Sequence, residues 1–277
     1  MIKTKTHKVN RKGSLCFITF PIFEKHLELR HAFTTRHGGV SEGCFEKMNL
    51  SFNVGDNRQN VIENYNIICN AIGVKTENIV LSRQTHTANV LVVGKEHCGT
   101  GIFREYTYND IDGLITNEPR VALVTHSADC CLLAFYDPNK KVIAAAHAGW
   151  RGTVKEIGGE MLKKMQEQFG SNPQDILVAL APSIGPCCYE VDTPVLDQFK
   201  ELEYLNLDKI FSNKGNRKYM LNLWEANKQI LMHYGIKEEN IELTDVCTNC
   251  YNKDFHSHRA TKGKRGVNGL IMEMAGE

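Results

Sequence analysis

Apolar residues recur along this chain with two spacings, and the change from one to the other marks its elements. In "NRQNVIENYNIICNAIGV", Val61, Tyr65, Ile68 and Ile72 follow the period of one helix face, and Gly73 is placed to act as a left-handed C-cap. Short apolar runs predict strands at "NIVLSRQ", "NVLVVG", "DGLIT", "RVALVT" and "KVIAAAHAG". The stretch "VTHSADCCLLAFYD" continues the fourth of these and reads for most of its length as a buried strand. Thr153 is expected to cap a helix with the face Ile157, Met161, Leu162, Met165 and Phe169, stopped by Gly170. "DILVALAPSIG" predicts another strand, and "PVLDQFKEL" and "LNLWEANKQILMHYG" predict helices. Because helices do not alternate one for one with strands, an α+β layered sandwich is expected rather than a doubly wound sheet. No repeat, low-complexity tract or Pro/Ser-rich linker interrupts residues 1–277, so one domain is expected.

The buried strand poses a chemical question, because His126, Asp129, Cys130 and Cys131 sit in its first half. "DPNK", Asp137 to Lys140, suits a type I turn inside a four-residue hairpin loop. That register sets Tyr136 against Lys141 and Cys130 against His147. Directly opposed residues share a face with Cβ atoms about 5 Å apart, a separation suited to two ligands of one metal ion. Cys131 then faces the core, where a free thiol behaves as a small hydrophobe. A slip of one residue would destroy the arrangement. His86, in "LSRQTHT", ends another strand and is the third candidate ligand. Two His and one Cys with an open fourth position is the pattern of catalytic rather than structural zinc. His126 and Asp129 are open between orienting a ligand and lying at a solvated strand end, the latter favoured for His126.

Composition narrows the functional classes. Lys plus Arg number 33 against 32 Asp plus Glu, which gives no sign of a nucleic-acid or membrane-surface partner. No run approaches the roughly 20 apolar residues of a membrane helix. The start, "MIKTKTHKVNRKGSLCFITFPIF", mimics a signal peptide but breaks at Pro21 without a small-residue cleavage site, and reads as a first strand. The ten Cys are therefore expected to be reduced thiols in a cytoplasmic protein, since Cys130–Cys131 and Cys187–Cys188 would point apart on a strand. "CTNC", Cys247 to Cys250, lacks a second CxxC or nearby CxxH to complete a structural zinc site, and His256 and His258 after it read as a solvated edge. Gly149, Arg151 and Gly152 before a helix start, and Arg36 in the Gly-rich "TTRHGGVSEG", are candidate anion contacts.

Seven segments in order, "TTRHGGVSEGCFEKMNLSFNVGDN", "SRQTHTANV", "DGLITN", "HSADCCLLAFYDP", "AAHAGWRGT", "PSIGPCCYEV" and "CTNCYNKDFHSHR", resemble the YfiH/YlmD-like family. Its members were long described as multicopper polyphenol oxidases (laccases) and are now regarded as zinc-dependent purine nucleoside phosphorylases. The resemblance implies a catalytic metal held by His86, Cys130 and His147. It implies activity on adenosine, inosine, guanosine and S-methyl-5'-thioadenosine, with inorganic phosphate as co-substrate, and deamination of adenosine. It also implies a four-layer α-β-β-α sandwich resembling cysteine-hydrolase toxins. Two departures stand out: Cys131 and Leu132 follow "ADC" in place of a small or branched residue and Pro, and Arg259–Ala260 replaces a paired Arg.

Arg36 is the preferred phosphate or substrate contact and Arg151 the second. A multicopper cluster is disfavoured because the 11 His are scattered from His7 to His258 with one HxH, although copper can bind such a His–Cys–His site in vitro. Two other classes compete: a cysteine hydrolase with Cys130 as nucleophile and His147 as base, acting on a cell-wall precursor amide, and a non-enzymatic zinc-binding module. Small-molecule nucleosides are the expected partners, with a monomer or small homo-oligomer as the assembly.

Overall fold

The computed structural model describes residues 2–276. The chain opens with β1 (Lys8–Lys12), β2 (Leu15–Thr19) and β3 (Leu29–Thr34), then α1 (Arg58–Ile72). Six strands follow: β4 (Ile79–Leu81), β5 (Val90–Val92), β6 (Gly113–Thr116), β7 (Ala122–Ser127), β8 (Cys131–Asp137) and β9 (Val142–Ala148). Next come α2 (Trp150–Val154), α3 (Ile157–Phe169), β10 (Leu177–Leu180), β11 (Glu190–Asp192), α4 (Thr193–Lys200) and α5 (Leu207–Ile210). The remainder is β12 (Phe211–Gly215), β13 (Lys218–Leu221), α6 (Leu223–His233), β14 (Ile241–Glu242), α7 (His258–Thr261) and β15 (Asn268–Met274). Among these described residues no helix is long and apolar enough to cross a membrane.

Two mixed six-stranded sheets carry the molecule. The first runs β1-β2-β3-β15-β7-β4 and is antiparallel except for β4 beside β7. The second runs β14-β10-β8-β9-β6-β5, with parallel pairs at its two edges. A small sheet, β11-β13-β12, stands apart. Because side chains alternate along a strand, each large sheet buries both faces. Val80, Leu123, Leu270 and Met272 of the first sheet meet Leu114, Leu132, Ala134 and Ile143 of the second. Their sequence neighbours Ile79, Ala122, Val124 and Ile271 pack under α1, through Val61, Tyr65 and Ile68. On the far side, Leu133, Phe135 and Ala144 pack against Met161 and Met165 of α3, Phe199 of α4 and Ile230 of α6. The layers therefore run helix, sheet, sheet, helices. Burial on both faces also explains why β8 and β9 read as unbroken apolar runs, since every residue in them is buried.

Several expectations are corrected. The β8–β9 hairpin pairs Asp137 with Val142 and Leu132 with His147, so the loop is residues 138–141. Asp137 stays in the strand because its Oδ1 accepts from Asn139 N at 2.9 Å and Lys140 N at 3.0 Å, and the turn closes with Lys141 at φ 52°. Cys130 is thus diagonal to His147, not opposite. An offset of two positions preserves the face, so both still point the same way. The stretch from Val124 is not one strand: β7 ends in the first sheet, β8 begins in the second, and residues 128–130 cross between them with Asp129 at φ 94°. The N-terminal strand is a hairpin of two, β1 and β2. Thr153 lies inside α2 and donates to Ala148 O, while α3 starts after Glu156, in the left-handed region. The C-terminal stops hold: Gly73 and Gly170 are both left-handed, at φ 75° and 66°.

Candidate metal centre

Two loops between strands and the end of a third strand converge on one site. His86 follows β4 in a left-handed conformation, φ 65°, Cys130 ends the crossing between sheets, and His147 sits near the end of β9. One ligand atom from each lies within 4.8 Å of the others. The two imidazole rings are nearly perpendicular, with centroids 4.8 Å apart. His147 is buried, and its Nδ1 is 2.8 Å from Asp112 Oδ1. A carboxylate can only accept, so Nδ1 carries the proton and Nε2 keeps its lone pair for a metal.

Asp112, fully buried just before β6, also organises His86. Its oxygens accept the backbone N–H groups of Thr85, His86 and Thr87 at 3.0, 3.1 and 2.8 Å, and the Thr87 hydroxyl at 2.9 Å. Burial opposes its charge, but these donors and His147 hold its pKa down at about 2. Burial alone would push the Cys130 thiol up; the charge and hydrogen bonding of His147 and His86 outweigh it and bring the pKa down to about 6. Reciprocally, burial disfavours the His147 cation, but the Cys130 thiolate and Asp112 raise its pKa to about 9. The donor set fits a divalent ion such as zinc: a readily ionised thiolate and two imidazoles, one oriented by a carboxylate. Gly149 leaves room for it, since a Cβ there would lie 2.9 Å from Cys130 Sγ and 3.2 Å from His86 Cδ2.

A cavity of about 840 Å³ opens over these three side chains. Phe52, Phe103 and Tyr106 supply its aromatic wall, and Arg83 and Arg265 bring positive charge. His126 also lines it, which corrects the expectation of a solvated strand end. That ring is half-buried, its Nε2 is 2.6 Å from Tyr65 Oη, and Tyr65 donates its own proton to Leu50 O at 2.8 Å. His126 Nε2 must therefore carry the hydrogen, leaving Nδ1 as an acceptor. Burial, aided by the nearby His147, lowers its pKa to about 4, so the ring is neutral. Gln84 brackets its backbone, accepting from His126 N at 2.7 Å and donating to His126 O at 2.8 Å.

Other candidates lie elsewhere. Arg36 donates to the carbonyls of Glu46 and Asn252, both at 3.1 Å, and is not part of the cavity wall. Arg151 covers the Trp150 ring at 4.4 Å and lines a separate, smaller hollow. Asp129 faces away from the triad, accepting from Thr248 Oγ1 at 2.6 Å and Arg259 N at 2.7 Å. Cys131 packs as expected, buried against the helix layer, and burial pushes its thiol up to about 12. His256 is buried, while His258 is exposed at the start of α7, so the two do not share a strand edge. Cys187 and Cys188 lie in a turn rather than on a strand, and both approach Cys250 of the "CTNC" segment. All ten cysteines are free. Sequence reasoning missed Asp112, Arg83 and Arg265, and it singled out His126 without placing it in the cavity wall. For Asp112 a signal existed, an Asp directly before an apolar strand run, but nothing in the sequence tied it to His147.

The family model described as multi-copper polyphenol oxidoreductase laccase matches residues 30–275, and the chain belongs to that family. Purine nucleoside phosphorylase YlmD of Bacillus subtilis is 39% identical over 245 residues, 88% of this chain and 87% of that protein. A protein named adenosine deaminase RL5, from an unknown prokaryotic organism, is 30% identical and covers 86% of this chain and 91% of its own length. Among solved structures, Bacillus licheniformis YfiH superposes with a TM-score of 0.90 at 33% identity, covering 96% of this chain and 98% of its own. YlmD from Geobacillus stearothermophilus gives 0.89 at 31% identity, covering 97% and 99%. The copper in the family's description finds no multicopper cluster here: among the described residues the metal-competent groups are this triad and four cysteines.

Proposed function

We propose that this chain is a zinc-dependent purine nucleoside phosphorylase that also deaminates adenosine, with adenosine, inosine, guanosine and S-methyl-5'-thioadenosine as its substrate class. The observation that carries the reading is the open His86–Cys130–His147 ligand set on the wall of a cavity within the size range of small-molecule sites. Relatives named purine nucleoside phosphorylase and adenosine deaminase agree with it. Zinc bound there supplies an activated water, its pKa lowered towards about 7.

The chain's own groups divide the remaining work. Phe52, Phe103 and Tyr106 offer ring faces for a purine. His126, a neutral cavity-lining ring whose Nδ1 is left unprotonated, is the group we assign to accept and return the proton that deamination moves. In phosphorolysis a phosphate oxygen attacks C1' while the C1'–N9 bond breaks and its electron pair leaves with the purine, which takes up a proton. We move the phosphate contact from Arg36 and Arg151 to Arg265, whose guanidinium lies close enough to feel the Asp129 and Cys130 charges. Its own hydrogen bonds are long, 3.3 Å to Gly266 O and 3.4 Å to His258 Nδ1, so donors remain for an anion.

Untagged protein assayed for zinc and copper, then incubated with adenosine with and without phosphate, tests the reading. The expected result is inosine in both cases, adenine only with phosphate, and neither product from Cys130→Ala. His126→Phe should keep its triad metal and lose deamination by about 10²-fold or more. One observation favours a rival: the lowered Cys130 thiol beside His147 is the pair a cysteine hydrolase uses. Triad-metal-free protein that ignores nucleosides but cleaves an amide through Cys130 would establish that rival and sink the phosphorylase.

A further inference from the structure

Behind the triad, on the far side of Asp129, four cysteines meet. Cys187 and Cys188 come from the turn after β10, and Cys247 and Cys250 from the "CTNC" segment after β14. All four sulfurs lie within 4.8 Å of one another. Cys250 Sγ is 3.6 Å from Cys187 Sγ and 3.4 Å from Cys188 Sγ. Four thiolates around one zinc at about 2.3 Å stand roughly 3.8 Å apart in a tetrahedron, whereas a disulfide needs about 2.05 Å. The observed spacing is that of ligands sharing an ion. The Gly185 N–H points at Cys247 Sγ, 3.2 Å away, and would stabilise a thiolate there.

The backbone around the cluster is already shaped for this. Ser183 and Cys247 form an isolated bridge, with Thr248 N donating to Ser183 O at 3.0 Å. The CxxC turn closes through Tyr251 N to Cys247 O at 3.0 Å, and the other turn through Cys188 N to Gly185 O at 2.9 Å. Two segments about sixty residues apart in sequence are thus held side by side, each offering two sulfurs.

We propose that Cys187, Cys188, Cys247 and Cys250 form a second metal site, a structural tetrathiolate centre for Zn²⁺, independent of the reading given to the triad. Its four protein ligands close the coordination sphere, so the ion is a staple rather than a reagent. The staple acts on the turn that presents Cys130. Ile184 N donates to Asp129 O at 2.8 Å, and Thr248 Oγ1 and Arg259 N hold both Asp129 carboxylate oxygens. Arg259 in turn donates to Cys188 O at 3.1 Å. Metal at the four cysteines therefore fixes the residue directly before the triad's thiolate.

Zinc counted in untagged protein, purified under reductant, tests this. Wild type should hold two equivalents, Cys130→Ala one, the Cys187→Ser/Cys250→Ser double variant one, and the combination none. Cys187 and Cys250 are exposed, so Ser there leaves the core untouched. Should the double variant nonetheless misfold, Co²⁺ titration of the metal-stripped Cys130→Ala protein decides: one equivalent must give the intense thiolate-to-cobalt charge-transfer band of a four-sulfur site. No band, with all four thiols free or a Cys188–Cys250 disulfide found by mass, overturns the proposal. A single zinc lost in Cys130→Ala would sink this site and leave the triad's reading standing. A single zinc lost only in the double variant would do the reverse.

Discussion

The carboxylate of Asp112 takes five donors, from His147, His86, Thr85 and twice from Thr87, and through them sets the angle of one ligand and the loop carrying another. Asp112→Asn keeps the shape but replaces one acceptor oxygen with an N–H₂ that must face a donor. Metal affinity at the triad should fall by about 10–100-fold, read by competition with a chromophoric chelator. An unchanged affinity would mean His147 is oriented by packing alone. Gly149 offers a cleaner steric test, because its φ of −63° suits alanine and the substitution adds no backbone strain. The new Cβ meets Cys130 Sγ and His86 Cδ2. Gly149→Ala should therefore lose the triad's metal and activity while the melting temperature moves by only a few degrees. A large drop in melting temperature with metal retained would place the glycine's role in folding instead.

Among the elements, the short crossing from β7 to β8 matters most, because it turns a chain leaving one sheet into the other and sets Cys130 at the corner. Asp129 holds the corner in a left-handed conformation while its carboxylate accepts from Thr248 and Arg259. Asn tolerates that conformation and keeps an acceptor; Ala does neither. Asp129→Ala should cost about 2–4 kcal/mol and weaken metal binding, and Asp129→Asn markedly less, measured by denaturant unfolding and zinc content. Equal losses would show that charge, not the corner's geometry, matters. This corner also shows where sequence reading stops. Helix α1 was legible to its last residue, because a 3.6 period and a capping glycine are local signals. The shared face of Cys130 and His147 was legible too, though the turn lies one residue further along in each strand direction than "DPNK" suggests: parity survives an even offset. The break after Ser127 was not, since a strand buried on both faces has no polar side to reveal where it changes sheets. Asp112 was equally hidden, its partner being 35 residues away in sequence, and so was the setting of His126, whose Tyr65 partner lies 61 residues away.

At the scale of the molecule, four layers make three buried interfaces, and three histidines placed in or beside them are held neutral, whereas His147 is not, because Asp112 and Cys130 favour its cation. His31 stacks on Phe20 with centroids 5.5 Å apart, and its Nε2 accepts from Phe20 N at 2.9 Å. Burial lowers its pKa to about 4, as it does for His126, and lowers His256 to about 3 with the Arg36 charge adding to the effect. An unfolded chain protonates each near its ordinary 6.5, so between about pH 6.5 and 4 the unfolded state binds more protons than the folded one. Stability must therefore fall as pH falls through that window, by up to about 1.4 kcal/mol per pH unit for each histidine. Three together give a slope of up to about 4 kcal/mol per unit, enough to use up an ordinary domain's stability before pH 4. Release of a metal held by the triad would add to this on acidification, because its ligands also gain protons. Cys130→Ala separates the two, as it lacks the triad's metal but keeps His31, His126 and His256. Denaturant midpoints measured from pH 7.5 to 4.5 should drop steeply in both proteins, beginning near pH 6.5. A flat profile in Cys130→Ala would mean that the metal alone sets the acid limit and that the buried histidines titrate normally. A parallel fall in both, repeated in the combination with Cys187→Ser/Cys250→Ser that is expected to hold no metal, would place the acid limit in the packing between the layers.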